Sequence, residues 1–183
     1  GQRSLAMGYR VAATGTSSVA IGGWFDHNAN GSIDSGEITS ATASEAVALG
    51  ASANAVSSYS TALGTSTYAS TVASTAVGSY STATGRYSLA LGAGPTAGGD
   101  YAVAVGDIAL ASGRKAVAIG ASSVASGGQA FALGPYADAS ASNSTALGGA
   151  IDLNGNGTIE ANEKTTSSAG LSMALGTDAQ ATH

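Results

Sequence analysis

Ser18-Val19-Ala20-Ile21-Gly22 is one of eleven copies of a five-residue pattern, small-large-Ala-aliphatic-Gly, and the spacing of those copies decides the fold. The closing glycines are Gly8, Gly22, Gly50, Gly64, Gly78, Gly92, Gly106, Gly120, Gly134, Gly148 and Gly176, and neighbouring ones stand 14 or 28 residues apart. A repeat this strict marks a solenoid, in which each repeat is a unit that can bury its apolar face only by stacking on the next. Alanine always stands two positions before the glycine, and Met7, Ile21, Leu49, Leu63, Val77 and their successors stand immediately before it.

Within the unit, small and large residues alternate with the period of two that belongs to a β-strand. One strand face therefore carries only small side chains, as at Ser60 and Ala62, while the other carries larger ones, as at Thr61 and Leu63. Five residues after the glycine a second alanine recurs at Ala13, Ala55, Ala69, Ala83, Ala97, Ala111, Ala125, Ala139 and Ala181. Gly15, Gly85, Gly99, Gly113 and Gly127 follow two positions later, where the reading expects a second corner with φ > 0. The expectation is an all-β fold, a parallel β-roll in which each 14-residue coil has two short strands and two tight turns, with alanine facing alanine inside. Residues 1–183 read as a single roll domain with insertions at about 24–37 and 150–163.

The 183 residues include 27 glycines and no cysteine, only 9% are charged, and the net charge is -5. Such composition can signal a disordered linker, but the fixed period and the fixed aliphatic positions argue against it. The acidic balance disfavours nucleic acid, because no basic patch is available to neutralise phosphates. No stretch approaches the roughly 20 apolar residues of a membrane-spanning helix, and no membrane contact is expected of these residues. The chain stops at His183 partway through a repeat, which reads as a piece of a longer molecule.

The larger residues create a second demand. Met7, Ile21, Leu49, Leu63 and Val77 line up outside the coil, beside a column formed by Leu5, Val19, Val47, Leu89, Val103, Val117, Phe131 and Met173. Soluble monomers seldom leave so long an apolar stripe in water. Identical rolls associating along these columns around a shared axis would cover them, as would another part of a longer chain.

The repeats Ser18-Val19-Ala20-Ile21-Gly22, Ser88-Leu89-Ala90-Leu91-Gly92 and Ala116-Val117-Ala118-Ile119-Gly120 resemble the head repeats of YadA-like trimeric autotransporter adhesins. The resemblance implies that the roll is left-handed, that the assembly is a homotrimer, and that the head is displayed on a stalk at the outer membrane of a Gram-negative bacterium. It also implies an adhesive role with no enzymatic activity.

Two gaps of 28 residues depart from that pattern. Asp26-His27-Asn28-Ala29-Asn30-Gly31-Ser32-Ile33-Asp34-Ser35-Gly36-Glu37 and Asp152-Leu153-Asn154-Gly155-Asn156-Gly157-Thr158-Ile159-Glu160-Ala161-Asn162-Glu163 both fit the calcium-loop pattern D-x-[DN]-x-[DN]-G-x₅-E. The expected Ca²⁺ ligands are Asp26, Asn28, Asn30, Ser32 through its carbonyl, Asp34 and Glu37, and likewise Asp152, Asn154, Asn156, Thr158, Glu160 and Glu163. All-oxygen donors select a hard cation, and three carboxylates in so short a loop repel one another without one. Asx-rich turns that need no metal are the other reading. The flanks Ile38-Thr39-Ser40 and Lys164-Thr165-Thr166 are not helix formers, so these are isolated loops rather than paired sensor EF-hands, with an expected affinity near 10⁻⁴ to 10⁻³ M. Trp24 and Phe25 lead into the first loop, either to pack with Ile33 and seat it or to contact a ligand; Ala150 and Ile151 lead into the second, beside Ile159.

No catalytic constellation is visible: the two histidines, His27 and His183, stand apart and have no nucleophile arranged around them. Tyr59, Tyr80, Tyr87, Tyr101 and Tyr136 fall at turns, as do Arg114 and Lys115, either as solvated positions or as parts of a binding surface. A structural spacer would show the same repeats. An ice-binding solenoid would need a regular threonine column, and the outward position reads Ala12, Asn54, Tyr68, Thr82, Thr96, Leu110, Val124 and Asp138. The adhesion target, whether matrix protein, glycan, another cell or an abiotic surface, is not written in the repeats.

Overall fold

Each small-large-Ala-aliphatic-Gly unit forms a strand in the computed structural model of the chain, which describes residues 1–34 and 36–182. The chain is an all-β parallel solenoid made of two compact units, Gly1–Gly94 and Pro95–His183. In the first unit, Leu5–Gly8, Val19–Gly23, Val47–Ala51, Thr61–Leu63, Thr75–Ser79 and Leu89–Ala93 follow one another across one sheet. Ala12–Ala13, Ser40–Ala41, Asn54–Ala55, Tyr68–Ala69 and Thr82–Ala83 form the other wall. The second unit repeats the plan, with strands from Val103–Val105 to Met173–Leu175 on one wall and from Thr96–Ala97 to Gln180–Ala181 on the other.

Register advances by one repeat per rung: Ala62 pairs with Ala76 and Leu63 with Val77. Across each insertion the same pairing survives, with Ala20 opposite Ala48 and Ala146 opposite Ala174. The corners are tied to the rung before them as well, Tyr59 N–H donating to Ser44 O at 3.0 Å and Gly64 N–H to Leu49 O at 2.7 Å. Backbone donors that a tight coil would otherwise leave bare are thus paired rung to rung.

The interior is made mostly of methyl and hydroxymethyl groups, with Thr67 and Pro95 among the few larger side chains that are fully buried. Ala20, Ala48, Ala62 and Ala76 of the first unit and Ala104, Ala118, Ala132 and Ala146 of the second have no exposed surface, nor have Ala41, Ala55, Ala69 and Ala83 facing them. Several corner serines are buried with their hydroxyls satisfied by the carbonyl three residues back, Ser18 to Gly15 O at 2.8 Å and Ser60 to Ser57 O at 2.6 Å, whereas Ser81 Oγ is buried without a partner. After the insertions the second-strand position falls to Ala41 and Ser167, both fully buried, which a count taken from Gly22 and Gly148 passes over.

The glycines differ from expectation at one corner. Gly15, Gly99, Gly113 and Gly127 do not have positive φ; the left-handed residue is the one two places on, Ser17, Tyr101, Lys115 and Gln129. What requires glycine there is proximity, since a Cβ on Gly113 would lie 1.9 Å from Gly127 O of the next rung. The repeat-closing glycines with a following rung have both constraints: Gly64 has φ +126° and its Cβ would lie 1.7 Å from Gly78 O. Side chains at the left-handed corner positions point away from the stack, and Tyr59, Tyr80, Tyr87, Tyr101 and Tyr136 are all well exposed.

Gly64→Ala should therefore abolish cooperative folding or lower the thermal midpoint by many degrees. Tyr59→Ala, a change of similar sequence distance on an exposed corner, should stay within about 0.5 kcal/mol of the parent. Circular-dichroism melts of the two variants check this, and an unperturbed Gly64→Ala melt would contradict the close rung-to-rung approach.

Candidate functional site

Each 14-residue insertion opens at the corner after a repeat glycine and closes on itself before the roll resumes. Its stem is antiparallel, unlike every ladder of the roll: Trp24 bridges Ile38 in the first loop and Ala150 bridges Lys164 in the second. Phe25 N–H donates to Glu37 O at 3.0 Å and Thr39 N–H to Gly23 O at 2.8 Å; Ile151 with Glu163 and Thr165 with Gly149 do the same at 3.0 and 2.9 Å.

Thr39 and Thr165, both fully buried, lock the stem to the roll. The Thr39 hydroxyl donates toward Gly23 O at 2.7 Å and toward Gly50 O of the next rung, and accepts Gly23 N–H at 3.0 Å. Thr165 reaches Gly149 O at 2.9 Å and Gly176 O at 2.6 Å. These hydroxyls occupy the space where a Cβ on Gly22 or Gly148 would stand.

The loops themselves are organised alike, residue for residue. The Asp26 carboxylate accepts Asn30 N–H at 3.2 Å and Gly31 N–H at 2.9 Å; Asp152 accepts Asn156 and Gly157 at 3.2 and 2.7 Å. Asn28 and Asn30 both donate side-chain amide hydrogens to Asp34 Oδ2, at 2.9 and 3.1 Å. Asn154 and Asn156 likewise donate to the Glu160 carboxylate at 2.9 and 2.7 Å. Ser32 and Thr158, both exposed, donate their backbone N–H to the Oδ1 of Asn30 and Asn156 at 2.6 and 2.7 Å.

Glu37 and Glu163 are almost wholly buried, at 3% and 1% exposure. Glu37 accepts the N–H groups of His27 at 2.9 Å and Asp34 at 3.0 Å. Glu163 accepts those of Leu153, Asn154 and Glu160, the last closing a capping box on the 3₁₀ turn Ala161–Glu163. These donors, the Glu160 N–H first, hold the Glu163 carboxyl below the usual carboxylate range against the opposing effect of burial. Among the described residues no three acidic or histidine side chains converge into a metal cluster by themselves. Position by position, the oxygens that could complete a cation shell belong to the Asn side chains and to backbone carbonyls.

The seats of the two loops differ. In the first, Ser52 donates to Glu37 O and to Phe25 O, and Asn54 Nδ2 donates to Gly36 O at 3.1 Å. In the second, Gln180 Nε2 reaches Ala161 O at 3.2 Å and Lys164 Nζ pairs with Asp138 at 2.8 Å. Asp178 takes the register position of Ser52, and its Oδ1 is shut off from solvent without a partner. The aromatic lead-in stays on the surface: Trp24 and Phe25 are 37% and 40% exposed, and the Phe25 ring meets His27 edge-on at 5.3 Å. The sequence carried no signal for the stem threonines or the seat residues, because both are read only after the loop has been cut out of the repeat count.

The family model of the YadA head domain repeat matches residues 1–23, 41–67, 69–94, 97–123, 111–137 and 125–150, more than half of the chain. The chain belongs to the YadA head family. YadA heads are the surface-exposed parts of trimeric autotransporter adhesins, and heads of this type form trimers. The matches stop at residue 23 and resume at 41, so the first insertion lies outside the YadA head repeat, and all but the first residue of the second does too. No curated protein matches the chain.

Asp178→Ser should stabilise this YadA head, because a hydroxyl has a proton to donate where the carboxylate has none, and an unpartnered buried oxygen costs about 1–3 kcal/mol. A rise of a few degrees in the thermal midpoint is expected, since about 1 kcal/mol moves a chain of this size by roughly 2–4 °C. No rise, or a fall, would mean that Asp178 is already satisfied.

Proposed function

We propose that the chain is the adhesive, non-enzymatic head of a Gram-negative surface adhesin, working as a homotrimer, with Ca²⁺ held in its two inserted loops. The observation that carries the trimeric reading is the pair of apolar columns left in solvent on the single chain. Leu63 and Leu91 are 42% and 41% exposed, and Val19, Ile21, Val47, Leu49 and Val77 are half-buried beside them. Three rolls meeting along these columns remove the stripe from water, where each buried aliphatic side chain contributes about 1.5–3 kcal/mol. Sedimentation of the purified chain should give a trimer, and Leu63→Asp with Leu91→Asp should dissociate it; a stable parent monomer would end the trimer reading.

The calcium reading rests on the loop pattern and on how its side chains gather. Asp34 and Glu160 each collect two asparagine amides, so three of the expected ligand positions already face one another in each loop. A half-turn of an amide about its Cβ–Cγ bond exchanges N–H for oxygen with little change of shape, converting donors to Asp34 or Glu160 into ligands for a cation between them. Glu37 and Glu163, each held by backbone N–H donors of its loop, would stand at position 12 of the loop.

Ten millimolar Ca²⁺ should raise the thermal midpoint, since a ligand taken only by the folded state at 10–100 times its Kd adds about 1.4–2.7 kcal/mol per site. Chelator should reverse the rise. Asp34→Asn combined with Glu160→Gln should remove the calcium-dependent part while leaving the chelated melt nearly unchanged. Superimposable melts of the parent with calcium and with chelator would leave the loops as metal-free Asx turns.

A further inference from the structure

Beside the first loop, within the Gly1–Gly94 unit, lies a cavity of about 330 Å³, at the small end of the range for ligand sites. Its walls combine the inserted loop, through His27 and Gly36, with the outer face of the roll, through Ser52, Asn54, Ser66 and Tyr68. The remaining lining is Val56 and Thr67. We propose that this cavity is a binding site for a neutral saccharide unit.

The lining excludes other classes first. It contains no lysine, arginine, aspartate or glutamate, so nothing in it matches the charge of a phosphate, a carboxylated sugar or an amine. Its surface divides about evenly between polar and apolar, with hydroxyl, amide and imidazole groups spread around it, which suits a lipid chain or an apolar side chain poorly. A ring that offers hydroxyls around its edge and C–H bonds on its face needs uncharged donors and acceptors beside one flat apolar surface. Tyr68 supplies that surface: it stands on the strand Tyr68–Ala69 with 43% of its area open.

The polar groups are held in place before any ligand arrives. Both amide hydrogens of Asn54 are committed, to Gly36 O at 3.1 Å and Ser52 O at 3.0 Å, which leaves its Oδ1 as the remaining acceptor. Ser66 Oγ lies 3.4 Å from His27 Nδ1, and the imidazole is flanked edge-on by Phe25 at 5.3 Å and Tyr80 at 6.0 Å. His27 is positioned in turn by its own N–H, which donates to the buried Glu37 carboxylate at 2.9 Å. Preorganised polar groups of this kind reduce the ordering cost of binding. At the second insertion the residue matching His27 is Leu153 and that matching Asn54 is Gln180, so the second loop does not repeat this imidazole and amide pair.

The proposal supplies a ligand class to the adhesive reading and rests on it. The test is saturation-transfer NMR of the purified chain with free glucose, galactose, mannose and N-acetylglucosamine, in calcium and again in chelator, with glucuronic acid as the charged comparison. At least one neutral sugar should bind with a Kd near 1 mM, and glucuronic acid more weakly. Tyr68→Thr, which installs the residue of the adjoining rung at Thr82 and so keeps a side chain the column already accommodates, should weaken binding tenfold or more. His27→Leu, copying Leu153, should do the same. No binding by any of the four sugars, preference for glucuronic acid, or binding unaffected by both variants would overturn the proposal. None of those results touches the sedimentation or calcium measurements, so failure of the site and failure of the trimeric calcium-loaded head remain distinguishable.

Discussion

Because the two walls of each unit face each other across little larger than methyl or hydroxymethyl groups, the roll has almost no hydrophobic core to draw on. Each interior alanine removes about one methyl from water, on the order of 0.8 kcal/mol. That is less than the roughly 1–2 kcal/mol of backbone entropy needed to order a single residue. Cohesion within the chain falls to the rung-to-rung ladder, which pairs strands and corners alike, and to the close approach of backbones that only glycine permits at Gly64 and Gly113. The larger apolar side chains stand outside the coil, where the proposed association of identical rolls would cover them.

The same narrowness explains why additions come at corners. Inside the coil even one extra methylene would meet the opposite wall, whereas the turn after the repeat glycine faces water. At that turn the first unit accepts a loop that returns through an antiparallel stem, and a buried threonine, Thr39, closes the seam by bonding to the N–H and carbonyl of Gly23 at the entry and to Gly50 O of the next rung. The second unit does the same with Thr165. The carboxylates of position 12 then serve two purposes. They cap the N–H groups of the loop, and they place a buried carboxyl group beside the Asn and Asp side chains of the loop.

Periodicity alone was enough to read the coil, the alanine interior and the outward aliphatic columns, because a 14-residue repeat leaves each position in one environment. Ala20 or Ala118 could hardly be anywhere but inside. The second corner was misread because glycine has two physical uses: Gly15 and Gly113 serve close approach, while the left-handed conformation falls on Ser17 and Lys115, residues with no bias toward it. Ala41 and Ser167 were missed since an insertion breaks the count that identifies their column. The two insertions were legible as a spacing, yet the cavity beside the first was not, for Tyr68, Asn54 and His27 come from three separate stretches and share no motif.

The antiparallel stems have a consequence for how such a molecule diversifies. A segment that leaves and re-enters the roll through one bridge, with Ala20 still opposite Ala48 on either side of it, is invisible to the ladder whatever its length or content. The corner after the repeat glycine therefore behaves as a socket. An inserted segment sits there without renegotiating the register of a single rung, so a monotonous scaffold can carry a different surface at each corner that accepts a loop.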